Sequence, residues 1–409
     1  MRIIYIHQYF VTPEEGGAVR SYHLAKGLVE TGVEVEMITA HSSGEYDFKM
    51  VEGIKVHYLP VAYDNTFGFA KRSVAFFSFV RLAKQLLKKL NRPDLLYITS
   101  TPLTTGLIGL WAKRRLALPY IFEVRDLWPE APVQVGAVKN PVLKKALYKL
   151  EKRIYQHALK IVALSPGIRN YIENIVPAGD ISLIPNFSDV KFFKPSFQKD
   201  EEYLKELDWK KEALSFAYTG AIGDVNAVGE LLDFAEEAQL RNKNWQFAIM
   251  GKGKRLAALK IIAKEKKLNN LKFLPFGDKV AVRKLLSVTD VSFISFDHLP
   301  VLKTNSPNKF FDAIAMGNAI MVNHKGWVYN LVKRNKIGVV YDSQKMDLGI
   351  AKMEALDADR KRLKGMKHRA SDLAVLHFSK EKALSRLLFT LDPKKYPLPT
   401  IDEVYMLIA

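Results

Sequence analysis

Residues 2–39 read RIIYIHQYFVTPEEGGAVRSYHLAKGLVETGVEVEMIT, and the order of patterns in them decides the fold. Residues 2–7 form an isoleucine-rich run of strand length, residues 18–30 carry apolar side chains at helical spacing up to Gly32, and residues 33–39 return to the strand type. Parallel strands need such a crossover helix between them, so the segment reads as the first unit of a parallel sheet covered by helices.

The unit repeats along the chain. Further strands are expected at 54–59, 95–99, 120–123, 160–164 and 181–184, with helices between them. Pro185-Asn186-Phe187-Ser188 through Pro195 breaks the periodicity, and the polar stretch 198–211 reads as a linker and a short helix. A second series follows at 215–219, 245–250, 271–274, 290–295, 319–322 and 338–341. The expected fold class is α/β, with two Rossmann-like domains facing each other across a cleft. The first spans 1–190 with a C-terminal return segment 378–409, and the second spans 195–377. Open parallel sheets bind ligands at the C-terminal ends of their strands, so that edge of each domain is expected to line the cleft.

Composition agrees with two globular domains: 409 residues, 48% apolar and 26% charged. No stretch approaches the roughly 20 apolar residues of a membrane span, and the first residues lack a signal-peptide layout, so a cytoplasmic protein is expected. With no cysteine there is no disulfide, thiolate nucleophile or zinc-thiolate site, and the nine histidines show no ligand spacing. No metal is expected. The net charge of +19 points to a polyanionic partner, whether nucleic acid, an anionic bilayer or a phosphorylated substrate. From Thr66 to Pro93 the chain carries Lys71, Arg72, Arg81, Lys84, Lys88, Lys89 and Arg92 with no acid, among Phe67, Phe69, Val74, Phe76, Phe77, Phe79 and Val80. That is the pattern of an amphipathic, membrane-facing helix, and equally of a helix packed on a sheet with a solvated basic face.

Four stretches are candidates for chemistry. Gly16-Gly17 lies in the loop after the first strand, where backbone N–H groups can approach an anion, although an ordinary turn has the same composition. Glu123-Val-Arg125-Asp126-Leu-Trp128-Pro129-Glu130 packs three acids and an arginine at a strand edge, as a catalytic carboxylate fixed by Arg125 would require, or as a loop-capping ion pair. In 303–317, Ser306 suits a helix N-cap, Pro307 the first helical position and Gly317 the stop. Such a helix start, with Asn308, Lys303 and Lys309 nearby, would hold a diphosphate, and Asp312 one turn on would accept from ribose hydroxyls; the alternative is a surface pair on a capped helix. Finally, Gly251 and Gly253 end one strand and Pro275-Phe276-Gly277 the next, turns at which backbone and Phe276 could flank a flat base.

Two Rossmann-like halves with these stretches in this order resemble the GT-B glycosyltransferases, and within them the large retaining family 4, over nearly the whole chain. The resemblance is carried by the Gly16-Gly17 loop, EVRDLWPE at 123–130, IPNFSDVKFF at 184–193, Thr219-Gly220, GKG at 251–253 and SPNKFFDAIAMGNAI at 306–320. It implies metal-independent transfer with retention of configuration, the nucleotide held mainly by the C-terminal domain and the acceptor by the N-terminal one. By position, Asp312 is the second acid of the family's E-x7-E element, implied to hold the ribose. Thr304 stands where the first acid belongs, which leaves Asn305 and Ser306 for the sugar hydroxyls.

Between Gly220 and Asn226 the Arg and Lys that many members give the diphosphate are missing, so Lys303 and Lys309 are expected to carry that charge, or Arg125 to reach across. Asp126, flanked by Arg125 and Glu123, is the group expected near the anomeric centre. The pattern is similar to the branch that builds bacterial surface polysaccharides, including amino-sugar transferases acting on lipid-linked acceptors. The reading is therefore of a nucleotide-sugar donor, UDP-sugar favoured, with no cofactor. The acceptor would be a saccharide or lipid-linked saccharide, and segment 67–92, joined by 139–153, would contact the inner face of the plasma membrane. No nucleic-acid partner is expected. The rivals are a GT-B sugar-nucleotide epimerase, which needs no acceptor, a basic nucleic-acid-binding protein, and a catalytically silent scaffold.

Overall fold

A computed structural model describes residues 1–64, 67–195, 197–398, 400 and 402–409, with Phe69 described in its backbone alone. Thr66, the first residue of the basic stretch, lies outside the described residues. The first sheet holds β1 (Arg2–Ile6), β2 (Glu34–His41), β3 (Asp47–Val51), β4 (Ile54–Pro60), β5 (Leu95–Thr99), β6 (Tyr120–Val124), β7 (Lys160–Ala163) and β8 (Ile181–Leu183). Their order is β3-β4-β2-β1-β5-β6-β7-β8. The second holds β9 (Leu214–Ala221), β10 (Trp245–Lys252), β11 (Leu271–Leu274), β12 (Val291–Ile294), β13 (Ala319–Val322) and β14 (Gly338–Val340), in the order β11-β10-β9-β12-β13-β14. All pairings are parallel except β3 with β4. The α/β class with two Rossmann-like sheets is therefore what the chain adopts.

β1 explains why an unbroken apolar run marks such a sheet: paired on both sides and covered on both faces, Ile3, Ile4, Tyr5 and Ile6 are wholly buried. β3 escaped the sequence reading for the opposite reason. It is a five-residue edge strand with Phe48, Lys49 and Met50 all exposed, so its short polar–apolar alternation matches no buried face. Its turn is the tight kind, with Glu52 and Gly53 at φ 49° and 81° between the paired Val51 and Ile54.

The basic helix, Phe69–Leu87, packs on β4 and on helix Gly106–Leu116. Ala75, Phe79, Val80, Ala83 and Leu87 are buried in the core, while Val74 and Phe77 stand exposed beside Lys71 and Arg81. The helix is thus mainly a structural layer, with a narrower outward face than its sequence implied. The tail packs on both domains. Helix Lys380–Leu391 packs on helix Arg20–Glu30 of the first domain so closely that a Cβ on Gly27 would lie 2.7 Å from Leu384. Helix Glu403–Ile408, however, packs on helix Trp327–Arg334 of the second domain. The tail thus reaches the first domain through helix Lys380–Leu391 and then straps across to the second.

A buried ion pair fixes the crossing between the domains. Arg20 at the start of its helix meets Glu123 on β6 at 3.0 Å, with both side chains enclosed. Glu123 also accepts from Tyr97 (2.8 Å) and Thr99 (2.9 Å), and Arg20 donates onward to the carbonyls of Ile184 (2.9 Å) and Pro185 (2.7 Å). Every charge-bearing atom is thereby used, as a buried pair requires. Arg20→Leu leaves Glu123 uncompensated and is expected to lower stability by about 3–5 kcal/mol, read as an earlier chemical-denaturation midpoint; an unchanged midpoint would contradict this assignment.

Candidate functional site: the interdomain cleft

Between the two sheet edges lies a cavity of about 640 Å³. From the first domain it takes Gly16 and Gly17, and from the second Gly220, Gly251, Phe276, Asn308, Lys309 and Asp312. Eight of the residues singled out for ligand binding thus share one cavity. The glycines are there for steric reasons: Gly16 and Gly17 sit at φ 72° and 91°, and a Cβ on Gly251 would fall 1.9 Å from the Gly220 carbonyl oxygen. Phe276 is half exposed, with the Lys252 ammonium 4.1 Å above its ring.

The helix expected to open at Ser306 spans Asn308–Ala315. Pro307 occupies the cap position and no side chain among the described residues caps the helix, so its first N–H groups lie at the cleft without a side-chain acceptor there. Ser306 is not the cap, because its hydroxyl and carbonyl receive the Asn186 backbone N–H (3.1 Å) and side-chain amide (2.6 Å) from the hinge. Asn305 is likewise held, its carbonyl accepting from the Trp327 indole at 2.6 Å. Lys303 lines a different cavity. Sequence spacing alone could not separate these three from Asn308 and Lys309, since a turn of chain between them sends the side chains apart.

Lys309 donates to the Tyr218 hydroxyl at 2.5 Å and lies 3.9 Å over that ring and 5.2 Å from Phe296. No carboxylate pairs with it among the described residues, and burial pulls its ammonium down to about 7. Asp312 is buried and already engaged, by Lys279 at 2.6 Å and by the Ser188 hydroxyl at 3.2 Å. A ribose could use this carboxylate by displacing Lys279. The sequence reading missed Lys279. It begins helix Lys279–Ser287, whose Asp278 cap accepts from Ala281, and a cation at a helix start opposes the dipole. That misfit is the signal that Lys279 answers to a charge elsewhere.

On the first-domain edge the three residues of the EVRDLWPE stretch separate. Glu123 points inward to Arg20 rather than to the cleft; burial raises its carboxyl, but Arg20 and Arg125 together with its hydrogen bonds outweigh this and hold it below the ordinary range. Arg125 does not clamp a carboxylate. Its backbone N–H donates to Ser100 (2.9 Å) and its guanidinium lies 3.1 Å from His7 Nε2. Asp126 is open to solvent on one side, yet protein crowds the carboxyl and that desolvation pushes it upward, with Arg125 and a hydrogen bond from Thr101 opposing. Beside them, past the end of β1, the buried His7 Nδ1 and both amide atoms of Gln8 have no partner among the described residues. Unsatisfied buried groups at a sheet edge mark where water or a ligand completes the site. Polar residues directly after an apolar strand were the available signal. Among the described residues no group of three or more His, Asp or Glu side chains is placed to hold a metal ion.

Comparison with known proteins fits this geometry. Residues 15–186 match the family model described as Glycosyl transferase 4-like domain. The sucrose-phosphate synthase of Thermosynechococcus elongatus superposes with a TM-score of 0.77 at 17% identity, covering 96% of this chain and all of the other. The fold is GT-B. A second GT-B structure, Anabaena HepE in complex with UDP and glucose, superposes with a TM-score of 0.66 at 15% identity over 96% of this chain and 99% of that one. In sequence, the chain is 29% identical over 157 residues, 37% of each protein, to an Escherichia coli K12 protein named as a colanic acid biosynthesis glycosyl transferase. It is 23% identical over 305 residues, 71% of this chain, to the alpha-monoglucosyldiacylglycerol synthase of Streptococcus pneumoniae R6. It spans 37% and 65% of the lengths of these two relatives.

Proposed function

We propose that the chain is a retaining, metal-independent glycosyltransferase that moves a sugar from a nucleotide-diphosphate sugar, UDP-sugar favoured, to an acceptor seated on the first-domain edge. The observation that carries this reading is the single cavity in which Gly16 and Gly17 face Lys309 and the uncapped helix start from the opposite domain. Those groups suit a leaving diphosphate. Lys309 gains most, because an anion against a desolvated ammonium restores its charge where the dielectric is low. Phe276 flanks the base and Asp312 takes the ribose once Lys279 yields, while the freed Lys279 adds a cation beside the phosphates. Asp126, with its raised carboxyl, orients the acceptor hydroxyl and balances positive charge at the anomeric carbon. Glu123, Asn305 and Ser306 act in this reading by holding the hinge, not by touching substrate.

The acceptor we propose is a lipid-linked saccharide of bacterial surface polysaccharide synthesis, met at the inner face of the plasma membrane. Support comes from the relatives named above and from the exposed Val74 and Phe77 set among lysines and arginines on helix Phe69–Leu87. No helix among the described residues is long and apolar enough to cross a membrane.

A thermal-shift panel of UDP-, GDP-, ADP- and dTDP-sugars is expected to single out one donor base, since a ligand at about 100 times its Kd stabilises by roughly 2.7 kcal/mol. The preferred donor should bind up to about tenfold more weakly for each pH unit above about 7, because its diphosphate does not titrate there while Lys309 loses its proton. Lys309→Arg should flatten that profile; no shift from any sugar nucleotide would remove the donor assignment. Asp126→Asn is expected to cut turnover by about 10²–10⁴-fold with donor affinity retained, measured by product formation beside titration calorimetry. Sedimentation with phosphatidylglycerol vesicles, and not with neutral ones, is expected for the intact chain and should weaken in Phe77→Ser/Arg81→Ser; equal binding to both vesicle types would argue against the membrane role.

A further inference from the structure

The tips of β12, β13 and β14 surround a second cavity, of about 460 Å³, which shares no lining residue with the cleft. Phe296, on the cleft wall, meets His324, on the wall of this cavity, edge to face with ring centroids 5.0 Å apart, and the two rings partition the spaces. Four lysines line it, Lys303, Lys325, Lys345 and Lys352, against the two carboxylates of Asp297 and Asp342.

The carboxylates do not neutralise the lysines. Asp342 accepts from the Gln344 backbone N–H at 3.1 Å and Asp297 from that of His298 at 2.7 Å. Lys352 donates to the Val340 carbonyl at 3.0 Å. Among the described residues the ammonium groups of Lys303, Lys325 and Lys345 make no hydrogen bond or ion pair, in contrast to the paired Lys199, Lys266 and Lys279 elsewhere in the domain. Like charges converging on one concavity repel one another and raise the local concentration of anions. His324 adds an independent sign: it is 2% exposed and its Nδ1 has no partner among the described residues, a deficit that a native site makes good with water or ligand. Burial, Lys309 and His298 all act to keep that ring neutral. Tyr329, Val340 and Leu348 complete the wall, so the space suits more than a bare ion.

We infer that this cavity is a second ligand site, separate from the donor cleft, for a small phosphorylated metabolite held by Lys303, Lys325 and Lys345 with the buried imidazole of His324 in its wall. The inference does not rest on the transferase reading, because none of these groups lines the cleft. Its minimal probe is inorganic pyrophosphate, titrated calorimetrically into the full chain at about physiological ionic strength, where diffuse attraction to lysines is screened. The intact chain is expected to bind at two sites. Lys325→Ala/Lys345→Ala, two exposed positions whose loss should leave the thermal midpoint unchanged, is expected to weaken one site by at least tenfold and spare the other. Lys309→Met is expected to do the reverse, and a failure there alone would count against the cleft reading and not against this one. No pyrophosphate binding by the intact chain, or binding that is nowhere diminished in Lys325→Ala/Lys345→Ala, overturns the inference.

Discussion

The architecture depends on one enclosed ion pair. Arg20 and Glu123 sit where the first helix, two central strands and the start of the interdomain crossing converge, and the charge of each offsets the desolvation of the other. A hydrophobic pair of similar volume would pack as well, but it would not bind the carbonyls at 184 and 185. Charge was retained at the cost of desolvation because the crossing strand offers acceptors that need a donor. The cleft inherits its geometry from that arrangement, since Asn186 next in line holds Ser306 and so aims the following helix start.

Electrostatics in the cleft follow a complementary rule. Lys309 there is desolvated by Tyr218 and Phe296, and Lys279 is provisionally paired with Asp312. Both arrangements leave the site ready to gain energy from an incoming anion: one by recovering a proton, the other by exchanging a partner. A cleft whose cations were all permanently bridged would lack that differential, on which selective binding rests.

Much of this was legible in residue order. Strand after strand fell where short apolar runs predicted, because buried parallel strands are the pattern that sequence expresses most directly. The edge hairpin did not, for Asp47–Val51 is short and its apolar Phe48 and Met50 stand in solvent. Glycine positions predicted the cavity well, since their cause is local backbone approach. Glu123, Ser306 and Lys303 were grouped with the site by proximity in sequence, yet one faces the core, one the hinge and one another cavity. Lys279 and His7 were overlooked because their meaning comes from residues far away in the chain, Asp312 and Arg125, which only the fold brings near.

Two passages of the polypeptide between the lobes, one near Ser188 and one near Ser379, lie side by side. Ser188 gives its N–H to the Phe378 carbonyl at 3.0 Å and takes that of Lys380 at 3.1 Å. A lone connecting thread would leave the lobes free to swivel and shear in every direction. Two threads clasped together act like the knuckles of a door, so that opening and shutting reduce to rotation about one axis. Whatever enters between the lobes therefore meets surfaces that return to the same register each time.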